Sequence, residues 1–104
     1  MMSCPTKNAI VACDNGRIVG FCEFETLSDE LVRKDRDMLF ITDLYVEPLY
    51  QKKGIGSMLI TKAEEIKAER GLKRLELLAD LNNKQALEFY TKNGFRMAMV
   101  ILVK

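Results

Sequence analysis

The chain has 104 residues and a net charge of +1, with 48% hydrophobic and 30% charged residues. This is the composition of an ordinary globular protein, and it gives no basis for a nucleic-acid partner or a polybasic membrane contact. No apolar run has the length of a membrane span and the N-terminus has no signal-peptide pattern. We therefore expect one cytoplasmic domain, residues 1–104.

The residues available for chemistry are restricted, because the chain has no histidine and three cysteines, Cys4, Cys13 and Cys22. The cysteines lack metal-ligand spacing, so zinc sites, serine–histidine triads and cysteine–histidine pairs are poor candidates, and we predict no metal. Proton transfer must use carboxylates, tyrosines, cysteines, lysines or water.

A hairpin opens the chain. Two strand-like runs, 7–14 and 17–25, are separated by Asn15-Gly16, a pair that favours a type I′ turn. The simplest register places Cys13 opposite Ile18 and Cys22 opposite Ala9. The two cysteines then lie far apart along the ribbon, so we expect free, packed thiols and no disulfide between them.

A strand and an amphipathic helix follow a polar connection at 26–37. The run 38–46 is rich in β-branched and aromatic residues, and it ends before Pro48 because proline cannot donate to a ladder. A helix is predicted from Ile55, with Gly71 as its left-handed C-terminal stop. Its apolar positions form one stripe: Ile55, Leu59, Ala63 and Ile66.

The remaining elements complete a mixed sheet. The run 72–79 reads as a strand parallel to the third one, since a helix joins the two. Asn82 with Gln85 has the pattern of a capping box, which predicts a helix over 83–92 ended by Gly94. The apolar run 95–103 predicts a last strand. The fold class is α/β (mixed α+β), in the order β-β-β-α-β-α-β.

The glycine-rich turn before the first helix is the chemical feature of the chain. Gly54 and Gly56 lack a Cβ, and the first N–H groups of a helix lack internal partners, so the turn can hold an anion. Lys52 and Lys53 add positive charge. The alternative is a tight corner with no ligand. Neither a P-loop nor a dinucleotide fingerprint fits the glycine spacing.

Two segments resemble one family. Gln51-Lys52-Lys53-Gly54-Ile55-Gly56 follows a strand ending Leu-Tyr-Val, and Asn83-Lys84-Gln85-Ala86-Leu87-Glu88-Phe89-Tyr90 leads to Asn93-Gly94-Phe95. Both are similar to motifs of the GCN5-related N-acetyltransferase (GNAT) superfamily, in the same order and with the same spacing. The resemblance covers roughly residues 8 to 104 and implies the GNAT acyl-CoA N-acyltransferase fold.

The resemblance implies an acetyl-CoA site in the split between the strands ending at Val46 and near Ala79. The strand backbone should pair with the pantetheine arm, the turn should bind the pyrophosphate, and Asn83 and Tyr90 should meet the arm and the thioester. The implied cofactor-binding residues are Leu44, Tyr45, Val46, Gln51, Lys52, Lys53, Gly54, Ile55, Gly56, Ser57, Asn83 and Tyr90.

The implied reaction is direct transfer of acetyl to a primary amine of a small molecule or peptide. Tyr90 is implied as the acid that protonates the leaving thiolate. For the base we name Asp43 first, Glu23 second and Glu47 third, because Thr42 stands where many relatives have a glutamate. Each of these side chains has the alternative of an ordinary structural residue.

The chain departs from the family at its N-terminus. Relatives carry a strand and helices before the hairpin, whereas six residues precede it here, so we expect a shortened form. Either a second subunit supplies the acceptor wall or the pocket is open, and we predict a homodimer because symmetric dimers are the commonest oligomers. The same shortening, with Thr42, supports a non-catalytic CoA-binding module as the alternative function. A domain with no ligand is the third reading.

Overall fold

A computed structural model describes residues 8–27, 37–99 and 101–104, and the backbone of residues 2–5. Residues 28–36 of the predicted connection, the side chain of Cys4 and Val100 of the predicted last strand lie outside the described residues. The elements are β1 (Met2–Pro5), β2 (Ala9–Asp14), β3 (Arg17–Leu27), β4 (Met38–Val46), α1 (Ile55–Glu69), β5 (Arg74–Leu77) and α2 (Lys84–Lys92), with a 3₁₀ turn at Pro48–Tyr50.

The sheet contains the strands in the order β1-β2-β3-β4-β5. The first four strands are antiparallel neighbours, and β5 is parallel to β4, as the connection through α1 predicts. This mixed sheet with helices packed on it confirms the predicted fold class.

The β2–β3 hairpin has the predicted turn, and its register changes within the ribbon. Asn15 and Gly16 have φ of 51° and 81°, which the type I′ turn requires. A bulge between Ala12 and Cys13 then moves the pairing, so that Cys22 lies opposite Ile10 and not opposite Ala9 as predicted. Because a bulge adds one residue to one strand, it shifts every pair beyond it.

The core lies between the sheet and α1. Ile55, Leu59 and Ala63 of the predicted stripe are buried with Ile60, and they pack against Phe24 and other residues of β2, β3 and β4. Gly71 has a φ of 68°, which confirms the left-handed stop. In the described part of the chain, no helix is long and apolar enough to cross a bilayer.

The two ends of the predicted order are wrong. Met2–Pro5 forms a strand that pairs antiparallel with β2, where we expected none, and Pro5 is tolerated because it sits at the sheet edge. Of the described residues in 95–104, none is in a strand; Phe95 is half-buried, and the described apolar side chains beyond it are exposed. An apolar run specifies buried residues but no partner strand, and no pairing with the open edge of β5 occurs among the described residues.

The start of α2 is displaced by one position from the prediction. The N-cap is Asn83, whose side-chain oxygen accepts a hydrogen bond from the backbone N–H of Ala86 at 3.1 Å. The backbone N–H of Asn82 donates to Asp80 Oδ1 at 2.8 Å, so Asn82 belongs to the preceding turn. Asn82 is therefore not the predicted cap.

Candidate active site

β4 and β5 diverge, as the resemblance implies. Their parallel pairing runs from Met38–Arg74 to Ile41–Leu77, while β4 continues to Val46. Within the described residues, this last part of β4 pairs with β3 alone. The backbone of residues 44–46 thus faces a gap on its β5 side, where an extended ligand could add as a strand.

A second bulge shapes the same part of β4. The β3–β4 register shifts between Glu23 and Phe24, so that Asp43 pairs with Glu23 and Ile41 with Phe24, leaving Thr42 as the extra residue. Thr42 and Asp43 are consecutive and both are exposed, which a regular strand packed on one face would not produce. The bulge therefore presents two polar side chains beside the gap.

The loop after β4 closes onto the end of that strand. The N–H of Tyr50 donates to the carbonyl of Glu47 at 2.8 Å, and Gln51 Nε2 donates to the carbonyl of Val46 at 3.1 Å. The side chain of Gln51, a predicted cofactor contact, is thus used to brace the loop. Lys52 has a φ of 63°, a conformation uncommon for a residue with a Cβ.

The turn leading into α1 has the geometry of an anion site. Gly54 is the N-cap, has a φ of 83° and provides no side-chain capping bond. The first bond of the helix is Met58 N–H to Gly54 O at 3.0 Å, so the N–H groups of Ile55, Gly56 and Ser57 precede the intrahelical ladder. These three donors sit at the positive end of the helix dipole, as predicted for the cradle.

Gly56 has a structural role that the sequence did not reveal. A Cβ at this position would lie 2.8 Å from Phe89 Cζ, so the ring of Phe89 occupies the space beside the glycine. Gly56 thereby lets α2 pack against the first turn of α1. The Phe89 ring lies on the Cβ side of Gly56. The predicted ligand would approach a different side, because the backbone N–H of Gly56 is one of the three donors of the cradle.

Tyr90 lies on α2 in an aromatic cluster. Its ring centroid is 5.5 Å from that of Phe89 and 5.7 Å from that of Phe95, and the residue is half-buried. Burial raises the pKa of the Tyr90 hydroxyl, and the charges of Cys22 and Asp43 raise it further. The hydroxyl is therefore protonated at neutral pH and lies within electrostatic reach of Asp43.

Cys22 joins this group, although the sequence analysis treated it as a packing residue. The thiol is fully buried, and burial first, then Asp43 and Glu23, raise its pKa from 9.0 to about 11. Cys13 and Cys22 are both free, as predicted. No motif marks Cys22, and its place opposite Ile10 and Leu44 follows from the strand register.

The buried thiol predicts a loss of stability in alkali. Because the folded pKa of Cys22 lies above the unfolded value, its contribution is complete below about pH 9 and is lost as pH rises through about 11. Two pKa units correspond to about 3 kcal/mol. We expect urea titrations between about pH 8 and 11 to show this fall, and Cys22→Ala to flatten it; an equal slope in the variant would contradict the assignment.

The other predicted site residues are distributed around this centre. Glu47, the third base candidate, is engaged by Arg17, whose Nη2 lies 2.9 Å from both carboxylate oxygens. Asn83 uses its carboxamide oxygen to cap α2, so a cofactor contact would fall to its Nδ2. Asp43 and Glu23 are exposed, paired across β3 and β4, and remain the base candidates.

An open groove of about 290 Å³ lies beside the second bulge. Two carboxylates on β3, a hydroxyl from β4 and an amide give it an acidic, polar lining: Asn8, Ala9, Glu23, Phe24, Glu25 and Thr42. Its chemistry suits a cationic group. Among the described residues, no cluster of three or more histidine, cysteine, aspartate or glutamate side chains could hold a metal ion.

Comparison with known proteins relates this geometry to one family. The sequence model of a protein family described as the acetyltransferase (GNAT) family matches residues 3–95. A protein described as an uncharacterized N-acetyltransferase from Methanocaldococcus jannaschii is 37% identical over 98 residues, which are 91% of this chain and 42% of the relative. A spermidine N(1)-acetyltransferase from Thermoplasma acidophilum is 32% identical over 77% of this chain and 45% of its own.

The solved structures agree on the fold. An aminoglycoside N-acetyltransferase in complex with CoA superposes with a TM-score of 0.81 over 92% of this chain and 73% of that one, at 17% identity. At this identity the likeness shows the fold alone. The chain spans less than half of the length of the two curated relatives, 42% and 45%.

Proposed function

Because this chain belongs to the acetyltransferase (GNAT) family, we propose that it transfers the acetyl group of acetyl-CoA to a primary amine. The observation that carries the proposal is the juxtaposition of two features. The cradle of three N–H donors at the start of α1 directly follows the strand that diverges from β5. A phosphate at the cradle would leave the thioester arm to run along residues 44–46.

The reaction needs little from the side chains. The amine nitrogen attacks the thioester carbonyl, a C–N bond forms, the C–S bond breaks, and the thiolate takes up a proton. Backbone N–H groups of the diverging strand would stabilise the oxyanion. Tyr90 would donate the proton to the thiolate, and Asp43, with Glu23 as the second choice, would accept the proton lost by the amine.

The acidic groove supports a cationic acceptor. Glu23, the second base candidate, lines it together with Glu25 and Thr42. One similar protein is named as a spermidine acetyltransferase, and spermidine carries several amino groups. We therefore infer a small-molecule or peptide amine that is positively charged at neutral pH.

The alternative is a non-catalytic module that binds CoA or acetyl-CoA. The residue at the bulge is Thr42, which cannot act as a base near neutral pH, and the remaining base candidates are exposed. Such a module would keep the cradle at Gly54–Ser57 and lose the transfer.

Two measurements test the proposal in sequence. Titration calorimetry with acetyl-CoA should show binding to a single site; no heat at millimolar cofactor would overturn both the enzyme and the module. An assay of free thiol release over a panel of amines should then show turnover that requires the amine. Binding without release over monoamines, polyamines, aminoglycosides and lysine peptides would favour the module.

We also infer that the chain is one cytoplasmic acetyltransferase domain that forms a homodimer. The described cysteines carry free thiols, which is usual in a reducing compartment. The apolar side chains of Leu102 and Val103 are 89% and 91% exposed, and β5 has one described strand neighbour. An apolar segment and an open sheet edge of this kind favour association.

The dimer predicts a concentration-dependent mass in light scattering coupled to size-exclusion chromatography. Leu102→Glu should shift the protein to monomer while its melting temperature in the dilute limit is unchanged, since the side chain lies outside the core. A monomeric parent protein at high micromolar concentration would contradict the dimer.

A further inference from the structure

The turn of the β2–β3 hairpin holds the loop that leads to the anion cradle. Tyr50 donates its hydroxyl hydrogen to Asp14 Oδ2 at 2.8 Å, although 36 positions separate the two residues. Arg17 binds both oxygens of Glu47 at 2.9 Å, and the N–H of Glu47 donates to the carbonyl of Val19 at 2.9 Å. Contacts at two loop residues, Glu47 and Tyr50, thus fix the loop to the hairpin.

Tyr50 in turn contacts a lysine of the cradle. The ammonium nitrogen of Lys53 lies 5.3 Å from the centroid of the Tyr50 ring, which is within the range of a cation–π contact. Lys53 directly precedes Gly54, the N-cap of α1. The ring therefore limits where this positive charge can go, one residue before the N-cap of α1.

The backbone between Tyr50 and Gly54 is also constrained. Lys52 is held at a φ of 63°, which is unfavourable for a residue with a Cβ, and Gly54 follows at 83°. Left-handed residues in a turn direct successive N–H groups toward one concave side, where anions bind. Two left-handed residues, Lys52 and Gly54, thus flank Lys53 in the turn that leads to the N-cap of α1.

The protonation states of Tyr50 and Arg17 keep their contacts with Asp14 and Glu47 intact over the neutral pH range. The hydrogen bond to Asp14 is the main cause that raises the pKa of Tyr50, so its hydroxyl remains a donor. The hydrogen bond and charge of Glu47 raise the pKa of Arg17. Both contacts therefore persist at the pH at which a phosphate ligand is ionised.

We propose that Tyr50, fixed by Asp14, is a positioning residue that holds the Lys53 ammonium at the anion cradle. Through it, the hairpin turn sets the affinity for the phosphate part of the ligand. This inference rests on the proposed function, because it takes the ligand to be acetyl-CoA. The ligand chemistry is that of a polyphosphate ester, whose charge the Lys53 ammonium partly neutralises.

A double-mutant cycle on acetyl-CoA affinity tests the coupling. Lys53→Met and Tyr50→Leu should each raise the Kd about fivefold, the effect of one exposed ion pair of about 1 kcal/mol. The double variant should raise it by no more than either single change, because Tyr50 acts through Lys53. Tyr50→Phe keeps the ring and removes the hydrogen bond to Asp14, so it should lose less affinity than Tyr50→Leu. Asp14→Ala should lose the same amount of affinity as Tyr50→Phe.

Salt dependence separates positioning from a general structural effect. Tyr50→Leu should flatten the dependence of Kd on sodium chloride as much as Lys53→Met does, since the same charge is lost from the site. Lys62→Met is the matched control, because Lys62 pairs with Glu65 on α1 away from the cradle. It removes the same charge and should leave both Kd and slope unchanged.

The outcomes distinguish the two proposals. No binding of acetyl-CoA by the parent protein overturns the proposed function and this inference together. Binding by the parent with additive losses in the double variant, or with an unchanged salt slope in Tyr50→Leu, overturns the inference alone and leaves the function standing.

Discussion

Gly56→Glu is expected to weaken acetyl-CoA binding by at least about 100-fold while the protein still folds. A glutamate at the second position of α1 adds a negative charge within the first turn of the helix, close to the donors of the cradle, where it repels the phosphate and weakens its hydrogen bonds to the N–H groups. Loss of two hydrogen bonds to a charged ligand costs about 1.5–3 kcal/mol each, and each 1.4 kcal/mol is about tenfold in affinity.

The fold should survive because opposing effects act at this position. Any side chain must displace the ring of Phe89, whose Cζ lies 2.8 Å from the Cβ position, and overpacking of this kind costs about 1–3 kcal/mol. Against this, removing a glycine from a helix gains about 1 kcal/mol, and a carboxylate in the first turn is favourable. The ring is half-buried and is the end of a side chain, so it can pivot.

A series at this one position separates its effects. Gly56→Ala adds the Cβ alone and should lose less than about tenfold in affinity, since the N–H groups remain available. Gly56→Gln has the size of glutamate without its charge and should fall between the two. Calorimetry gives the affinities and thermal unfolding checks the fold. If Gly56→Glu bound acetyl-CoA with the affinity of the parent protein, this turn would not be the phosphate-binding site.

Local patterns were sufficient where one element determines its own geometry. The stripe of α1 was readable because apolar residues recur every three or four positions, and Ile55, Leu59 and Ala63 are buried as that period requires. Gly71 was readable as a stop because its positive φ needs no partner. The parallel relation of β4 and β5 follows from their connection alone.

Features that need two strands at once were not readable. Alternation within one strand assumes one-to-one pairing, so it could not show the bulge that moves Cys22 opposite Ile10, or the one that exposes Thr42. The end of the chain failed for a related reason. An apolar run specifies a strand only together with the edge that receives it, and residues 97–99 are exposed in the described structure.

The site was partly readable for the same physical reasons. Its glycine turn is local, and the motif around Tyr90 carries its own pattern. Contacts between distant segments could not be predicted from the sequence of either segment. Examples are Phe89 beside Gly56 and Tyr50 beside Asp14. At the start of α2, Asn82 and Asn83 are both good caps, and Asp80 decides between them by accepting the N–H of Asn82.

Tyr90→Phe is expected to lower kcat about 100-fold with little change in the Kd of acetyl-CoA. The ring contacts of Tyr90 with Phe89 and Phe95 do not involve the hydroxyl, so phenylalanine preserves the packing of α2. What is lost is the proton donated to the leaving thiolate, and general acid catalysis contributes about 100-fold or more. Rapid-quench turnover and calorimetry on the same samples measure the two quantities.

The pH dependence gives this prediction a second readout. Burial raises the pKa of Tyr90 above its ordinary value of 10.0, so the acid form persists through neutral pH and is lost only above that value. The rate of the parent enzyme should therefore hold through neutral pH and fall only in alkali, and in samples that remain folded this fall should be absent in Tyr90→Phe. A thiolate of pKa about 8.5 can also leave without help. If the variant turns over as fast as the parent, the thiolate does leave unassisted, and the role of Tyr90 is limited to packing α2 against the sheet.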